Sequence, residues 1–103
     1  MKTKIHVGRQ VEDFLKSLAP QPRRTLRQAM KNLADNQGDV KLLEEKLSGL
    51  WRLRVGKVRV IYEIKAAGGT REIICFYANY RSVVYVILEQ LLASGLIEGL
   101  KQN

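Results

Sequence analysis

Residues 50–55 and 58–64 alternate polar and apolar side chains on either side of Gly56-Lys57. Period-two alternation interrupted by two residues, the first a glycine, predicts an antiparallel hairpin closed by a type II′ turn. In that register Val55 faces Val58, Arg54 faces Arg59, Leu53 faces Val60 and Trp51 faces Tyr62. Successive strand residues point to opposite sides, so one face collects Trp51, Leu53, Val55, Val58, Val60 and Tyr62 and the other collects Arg52, Arg54 and Arg59. The apolar face must be covered by something.

Two helical stretches supply the cover. Val11, Phe14, Leu15 and Leu18 recur at the spacing of an amphipathic helix. After the Ala19-Pro20-Gln21-Pro22 break a second helix begins at Pro22, carries Leu26, Ala29, Met30 and Leu33 on one face, and is expected to stop at Gly38. Before them, residues 2–7 read as an opening strand around Ile5 and Val7. After the hairpin, residues 66–70 form a loop and residues 72–78 a further strand of an antiparallel meander. Ser82 is placed to cap a last helix through about Leu92. The β-branched run 83–87 also suits a strand, and the helix is the preferred reading. The expected fold is therefore α+β: an N-terminal strand and helical hairpin on an antiparallel meander, with a C-terminal helix. Its 103 residues suit a single domain over 1–103, with residues 94–103 as a mobile tail.

Composition narrows the function classes. Hydrophobic residues make up 46% and charged residues 27%, the balance of a chain that folds. A lone cysteine, Cys75, rules out a disulfide framework and fits a reducing, cytoplasmic setting. Nowhere is there an apolar run of membrane-spanning length. The net charge of +8 points to a polyanion or an acidic protein as partner, nucleic acid first.

Placement of the charges sharpens this. Like charges directly opposite each other destabilise a strand pair, so three arginines on one face are better explained by an external anion, which guanidinium forks bind bidentately. Removing Arg59 is accordingly expected to relieve repulsion and leave stability unchanged or improved. A solvated face partly neutralised by Glu63 is the plain alternative. Arg23, Arg24, Arg27 and Lys31 lie on the polar side of the second helix, where solvated charge is ordinary, and the single histidine, His6, sits in the opening strand. Metal-ligand spacing, phosphate-cradling glycine loops and nucleophile–histidine pairs are all missing, so any chemistry falls to Arg, Lys, Tyr or carboxylate and no metal or cofactor is expected. Tyr80, Arg81 and Tyr85, at the junction of the last strand and helix, are placed to project over the arginine face. Tyr85 suits the helix core equally well.

The stretch Lys46-Leu47-Ser48-Gly49-Leu50-Trp51-Arg52-Leu53-Arg54-Val55-Gly56-Lys57-Val58-Arg59-Val60-Ile61-Tyr62-Glu63-Ile64 resembles the central segment of the RelE/ParE toxin superfamily, RelE-like branch, and the order of elements agrees over roughly residues 1–92. That resemblance implies a toxin of a type II toxin–antitoxin system. RelE-like members cleave messenger RNA in the ribosomal decoding site with basic sheet residues and a C-terminal Arg and Tyr, whereas ParE-like members poison DNA gyrase and generally lack that set. Carried over, Arg54, Arg59, Arg81 and Tyr85 become catalytic, and Arg52, Lys57 and Tyr80 bind RNA. The partners implied are messenger RNA, the ribosome and an acidic antitoxin, in an assembly such as a heterotetramer.

The implied reaction is metal-independent: an RNA 2′-hydroxyl attacks its adjacent phosphate, leaving a 2′,3′-cyclic phosphate and a free 5′-hydroxyl. Arginine is a poor base. The proton acceptor therefore stays open, with Lys57 as a spare candidate. A gyrase inhibitor and a catalytically inactive RNA-binding relative are the other readings.

Overall fold

A computed structural model describes residues 2–94. The chain runs β1 (Lys2–Val7), α1 (Arg9–Ser17), α2 (Pro20–Asn32), β2 (Asp39–Leu42), β3 (Trp51–Val55), β4 (Val58–Ala67), β5 (Thr70–Tyr80) and α3 (Arg81–Ala93), with 3₁₀ turns at Leu33–Asp35 and Glu45–Leu47. The α+β class and the order of elements are as expected. Of the expected tail, all but Ser94 lies outside the described residues.

The sheet has five strands in the order β1-β5-β4-β3-β2. The meander of β3, β4 and β5 is antiparallel, but β1 joins β5 in parallel, so the sheet is mixed. The hairpin register is as read from the sequence, including Arg54 opposite Arg59. Gly56 takes φ +60, which an L side chain adopts only under strain and which the first position of a type II′ turn requires. The expected loop at 66–70 is tighter than its glycines suggested: β4 continues to Ala67 and β5 begins at Thr70, leaving Gly68-Gly69 alone in the turn.

Three expectations are corrected. Helix α2 starts at Pro20 rather than Pro22, since proline needs no helical partner in the first turn. It ends well before Gly38: the chain tightens at Leu33–Asp35, and Asn36 makes the left-handed exit at φ 58. Ser82 is not the cap of α3. The capping position is Tyr80, no side chain caps the helix, and Ser82 lies inside it.

Two apolar layers sandwich the sheet. On one side α1 and α2 bury Val11, Leu15, Leu26 and Met30 against Leu53, Val60, Tyr62, Ile73 and Cys75. On the other, Val84, Leu88 and Leu92 of α3 close over Leu50, Ile61 and Tyr77. Leu50, Ile61, Val84 and Leu88 are each 0% exposed, and full burial of such a side chain contributes ~1.5–3 kcal/mol. Helix α3 thus covers part of the sheet face that carries the arginines. Its start is fixed beside the hairpin tip, where the Arg81 backbone N–H donates to the Lys57 carbonyl at 2.8 Å. From there it runs back over Ile61, leaving the tip uncovered. Among the described residues, no helix is long and apolar enough to cross a membrane.

A β-bulge decides what β5 presents to each layer. Ile61 pairs with Tyr77 but Tyr62 pairs with Cys75, so Phe76 is the extra residue. Before it, Ile73 and Cys75 face α1 and α2; after it, Ala78 faces them and Tyr77 faces α3. Where β1 ends, the Gln10 side chain continues the pairing along β5, accepting from the Ala78 N–H at 2.7 Å and donating to its carbonyl at 2.8 Å.

Candidate functional site

At the hairpin tip, between the β3–β4 turn and the start of α3, lies an open cleft of about 720 Å³. Four cationic side chains line it: Arg54, Lys57, Arg59 and Arg81. Gly56, Tyr80 and Ser82 complete the wall, and no carboxylate is among the lining groups. The first turn of α3 contains no acidic residue and no side-chain cap; the Arg81 N–H is taken by Lys57, and the N–H groups that follow it add positive potential where Ser82 meets the cleft. An arrangement of this kind attracts an anion with several oxygens, of which a phosphodiester is the commonest biological example.

The arginines differ in how they are held. Arg59 is buried at 6% exposure, and its Nη1 donates to the carbonyls of Gly56 at 2.8 Å and Val58 at 3.0 Å. Its guanidinium is therefore fixed to the turn and is part of the fold. The expectation that removing Arg59 only relieves repulsion treats it as a surface charge; its side chain is buried and hydrogen-bonded to the turn, so removal also deletes two hydrogen bonds. Arg54 is exposed, with Nε 3.5 Å from Oδ2 of Asp39. Arg52, only 14% exposed, donates from Nη2 to Asp39 Oδ1 at 3.2 Å, and its Nε is buried with no partner.

Asp39 is the residue that sequence reasoning missed. It stands opposite Arg54 on β2 and neutralises the arginine face from a strand that was not anticipated. Glu63, the expected counter-charge, lies 3.6 Å from Lys65 instead. Its signal was present in the sequence as Asp39-Val40-Lys41-Leu42, a short polar–apolar alternation after Gly38.

The structure brings together five of the seven expected site residues: Arg54, Lys57, Arg59, Tyr80 and Arg81. Arg52 lies off the cleft, held by Asp39. Tyr85 packs against the α3 core and lines a separate depression with Glu44, Glu45 and Glu89. Tyr80 does not project over the arginine face. Its ring meets Phe14 of α1 edge-on at 5.4 Å, so it stands on the opposite side of the sheet from the arginines and lines the cleft from there. The bulge at Phe76 is the cause, because it reverses the alternation for every later residue of β5.

Several other basic residues have structural partners. Arg23 donates to the carbonyls of Leu15 and Leu18 and closes the end of α1, and Arg27 forms a two-pronged pair with Glu12. Arg71 donates to Asn36 Oδ1 at 2.8 Å and to the Ala34 carbonyl at 3.1 Å, holding the exit of α2. His6, on the edge strand β1, lies 3.8 Å from Glu72 and is separated from the β3–β4 hairpin by β5. Among the described residues, no group of three or more His, Cys, Asp or Glu side chains is arranged to hold a metal ion.

Comparison with known proteins identifies the family and the fold. A family model described as the ParE toxin of the type II toxin–antitoxin system, parDE, matches residues 6–87. No curated protein matches the sequence. Among solved structures, the toxin–antitoxin complex RelBE2 from Mycobacterium tuberculosis aligns with a TM-score of 0.65 at 18% identity, covering 79% of this chain and 100% of that one. The RelE–RelB complex from Pyrococcus horikoshii OT3 aligns with a TM-score of 0.60 at 25% identity, covering 81% and 99%. A YoeB/ParE toxin from Agrobacterium tumefaciens gives 0.61 at 14% identity, covering 79% and 99%.

Proposed function

Because the chain belongs to the ParE toxin family, within the RelE/ParE superfamily of type II toxin–antitoxin toxins, we propose that it acts as an endoribonuclease on messenger RNA in the ribosomal decoding site. The observation that carries this reading is the cleft itself. Arg54, Lys57, Arg59 and Arg81 converge there without a lining carboxylate, beside an uncapped helix start.

In such a cleft the substrate's own 2′-hydroxyl attacks the adjacent phosphorus. The bond to the 5′-oxygen breaks, giving a 2′,3′-cyclic phosphate and a 5′-hydroxyl. The protein's work is to hold the reacting atoms in line and stabilise the charge that gathers on the phosphoryl oxygens. Arg59, fixed by the turn, is the preorganised donor, because it needs no reorganisation when charge develops. Arg54 and Arg81 are the mobile forks that close on the phosphate. Lys57 is the group suited to passing a proton to or from the sugar oxygens. An acidic antitoxin laid over the cleft would neutralise all four cations, and the RelE–RelB complexes show toxins of this fold held by their antitoxins.

A gyrase-directed reading has its own support, since the matching family model is that of ParE and Tyr85 stands outside the cleft. Expression of the chain without an antitoxin separates the two. RNA cleavage predicts that translation stops while plasmid supercoiling is still normal. Loss of supercoiling ahead of translation would favour gyrase.

A further inference from the structure

The hairpin tip has a second hollow on its other side. An apolar groove of about 570 Å³ runs between the α1–α2 turn and the hairpin, walled by Leu18, Ala19 and Pro22 on one side and Val55 and Val58 on the other. Gly56, Lys57 and Tyr80 line both this groove and the cationic cleft. The two hollows are therefore separated by a single ridge, made of the hairpin turn and the Tyr80 ring.

We propose that this groove is a subsite for one unpaired nucleobase of the RNA strand whose phosphate occupies the cleft. The proposal rests on the cleft being the phosphate site. Single-stranded nucleic acid is commonly gripped by a charged track for the backbone with an aromatic and apolar seat for a base turned away from it. Here the seat and the track share their dividing wall. Tyr80 is suited to the wall because Phe14 holds its ring edge-on while it remains 45% exposed. The groove lies within the ~300–1,000 Å³ of small-ligand pockets. Its rim carries the polar groups that a base edge would need. Gln21 has its Oε1 engaged by Arg24 at 2.8 Å, which leaves its amide N–H groups to donate, and Thr25, one helical turn on, also lines the groove.

The bulge at Phe76 acquires a purpose in this arrangement. Without it Tyr80 would stand on the arginine face, inside the cleft, and the groove would lose its aromatic wall. One inserted residue puts the phosphate-binding cations and the base-binding ring on opposite sides of the same turn.

The test uses a fluorescent single-stranded RNA hexamer and a set of hexamers carrying an abasic ribose at each position in turn. The wild-type protein should lose about tenfold or more in affinity at one position, the scale of losing one stacked base. Thr25→Trp and Gln21→Trp fill the groove from exposed positions and leave every cleft cation in place. Each should bind the intact hexamer as weakly as the wild type binds the critical abasic one, with the salt dependence unchanged and a normal thermal melt.

Equal affinity of the wild type for all abasic hexamers would overturn the subsite. So would full base discrimination in both filled variants, which would leave the groove to a protein side chain. Arg54→Ala/Arg81→Ala separates the underlying reading: it should weaken every hexamer alike and flatten the salt dependence. If it binds them all as the wild type does, the cleft is not the phosphate site, and the base subsite falls with it.

Discussion

Arg54 and Arg59 stand directly opposite each other across the β3–β4 hairpin, yet one is held by the fold and the other is free to move. Arg59 is 6% exposed and donates to two turn carbonyls, whereas the Arg54 side chain is 56% exposed and reaches only Asp39, at 3.5 Å. This asymmetry turns an unfavourable pair of like charges into one fixed and one mobile anion donor.

Arg59→Ala should therefore damage both stability and activity. Loss of a buried, charged hydrogen-bonding group costs ~1–3 kcal/mol, and loss of one preorganised stabilising group lowers cleavage by about 10²-fold or more. Thermal melts run beside cleavage rates, corrected for folded fraction, distinguish the two effects. An unchanged or raised melting temperature would contradict the clamped geometry.

Asp39→Asn should tighten RNA binding at a modest cost in stability: its pair with exposed Arg54 contributes ~0–1 kcal/mol, and the amide oxygen can still accept from the largely buried Arg52, which loses its counter-charge but not its acceptor. The change frees Arg54 from its only acidic partner among the described residues and removes a negative charge next to the cleft. Titration of labelled single-stranded RNA at two salt concentrations reads this directly. Affinity equal to or below that of the wild type would show that Asp39 positions Arg54 rather than restraining it.

Tyr85→Phe should cost less cleavage activity than Arg81→Ala. Arg81 lines the cleft, while Tyr85 lies one helical turn along, beside Glu44 and Glu45. Arg81→Ala should also reduce the slope of log affinity against log salt by about 0.7, one neutralised phosphate's share for a single strand. Parallel rate and binding measurements on the two variants decide the order. A larger loss from Tyr85→Phe would place its hydroxyl in the reaction.

Two buried acids make the fold sensitive to alkali. Burial pushes the Cys75 thiol from its ordinary 9.0 up to about 12, and burial likewise pushes the Tyr62 phenol from 10.0 to about 12. The unfolded chain releases the thiol proton above about pH 9 and the phenol proton above about pH 10 while the folded chain keeps both, so stability is full below about pH 9 and falls as pH rises toward 12. Denaturant midpoints between pH 7 and 11 should show the decline, and Cys75→Ala should remove its first part. A midpoint that holds level to pH 11 would count against burial of both groups.

Much of this structure was legible in the sequence, for identifiable reasons. The hairpin, its register and its apolar face followed from strict alternation around Gly56-Lys57, and the amphipathic spacing of α1 and α2 was equally direct. What escaped depends on pairing between distant segments. Strand β2 is four exposed residues that owe their conformation to β3; the alternation at 39–42 is too short to announce a strand by itself, and the grip of Asp39 on Arg52 and Arg54 follows only from the pairing. The bulge at Phe76 leaves no local signature, and missing it put Tyr80 on the wrong face. Arg59 read as a surface charge because nothing in a strand pattern shows that a side chain folds back on its own turn. The left-handed exit falls at Asn36 although Gly38 stands two residues on and glycine is the commoner residue in that conformation.

The most direct test of the account is single-turnover cleavage of messenger RNA bound in the ribosomal decoding site, with chemical identification of the new ends. Wild-type protein should leave a 2′,3′-cyclic phosphate and a 5′-hydroxyl. Arg54→Ala and Arg81→Ala, both at exposed positions, should keep a normal melting temperature while cleaving about 10²-fold more slowly. Intact RNA with the wild-type protein, or wild-type rates in both variants, would contradict a catalytic role for the cationic cleft.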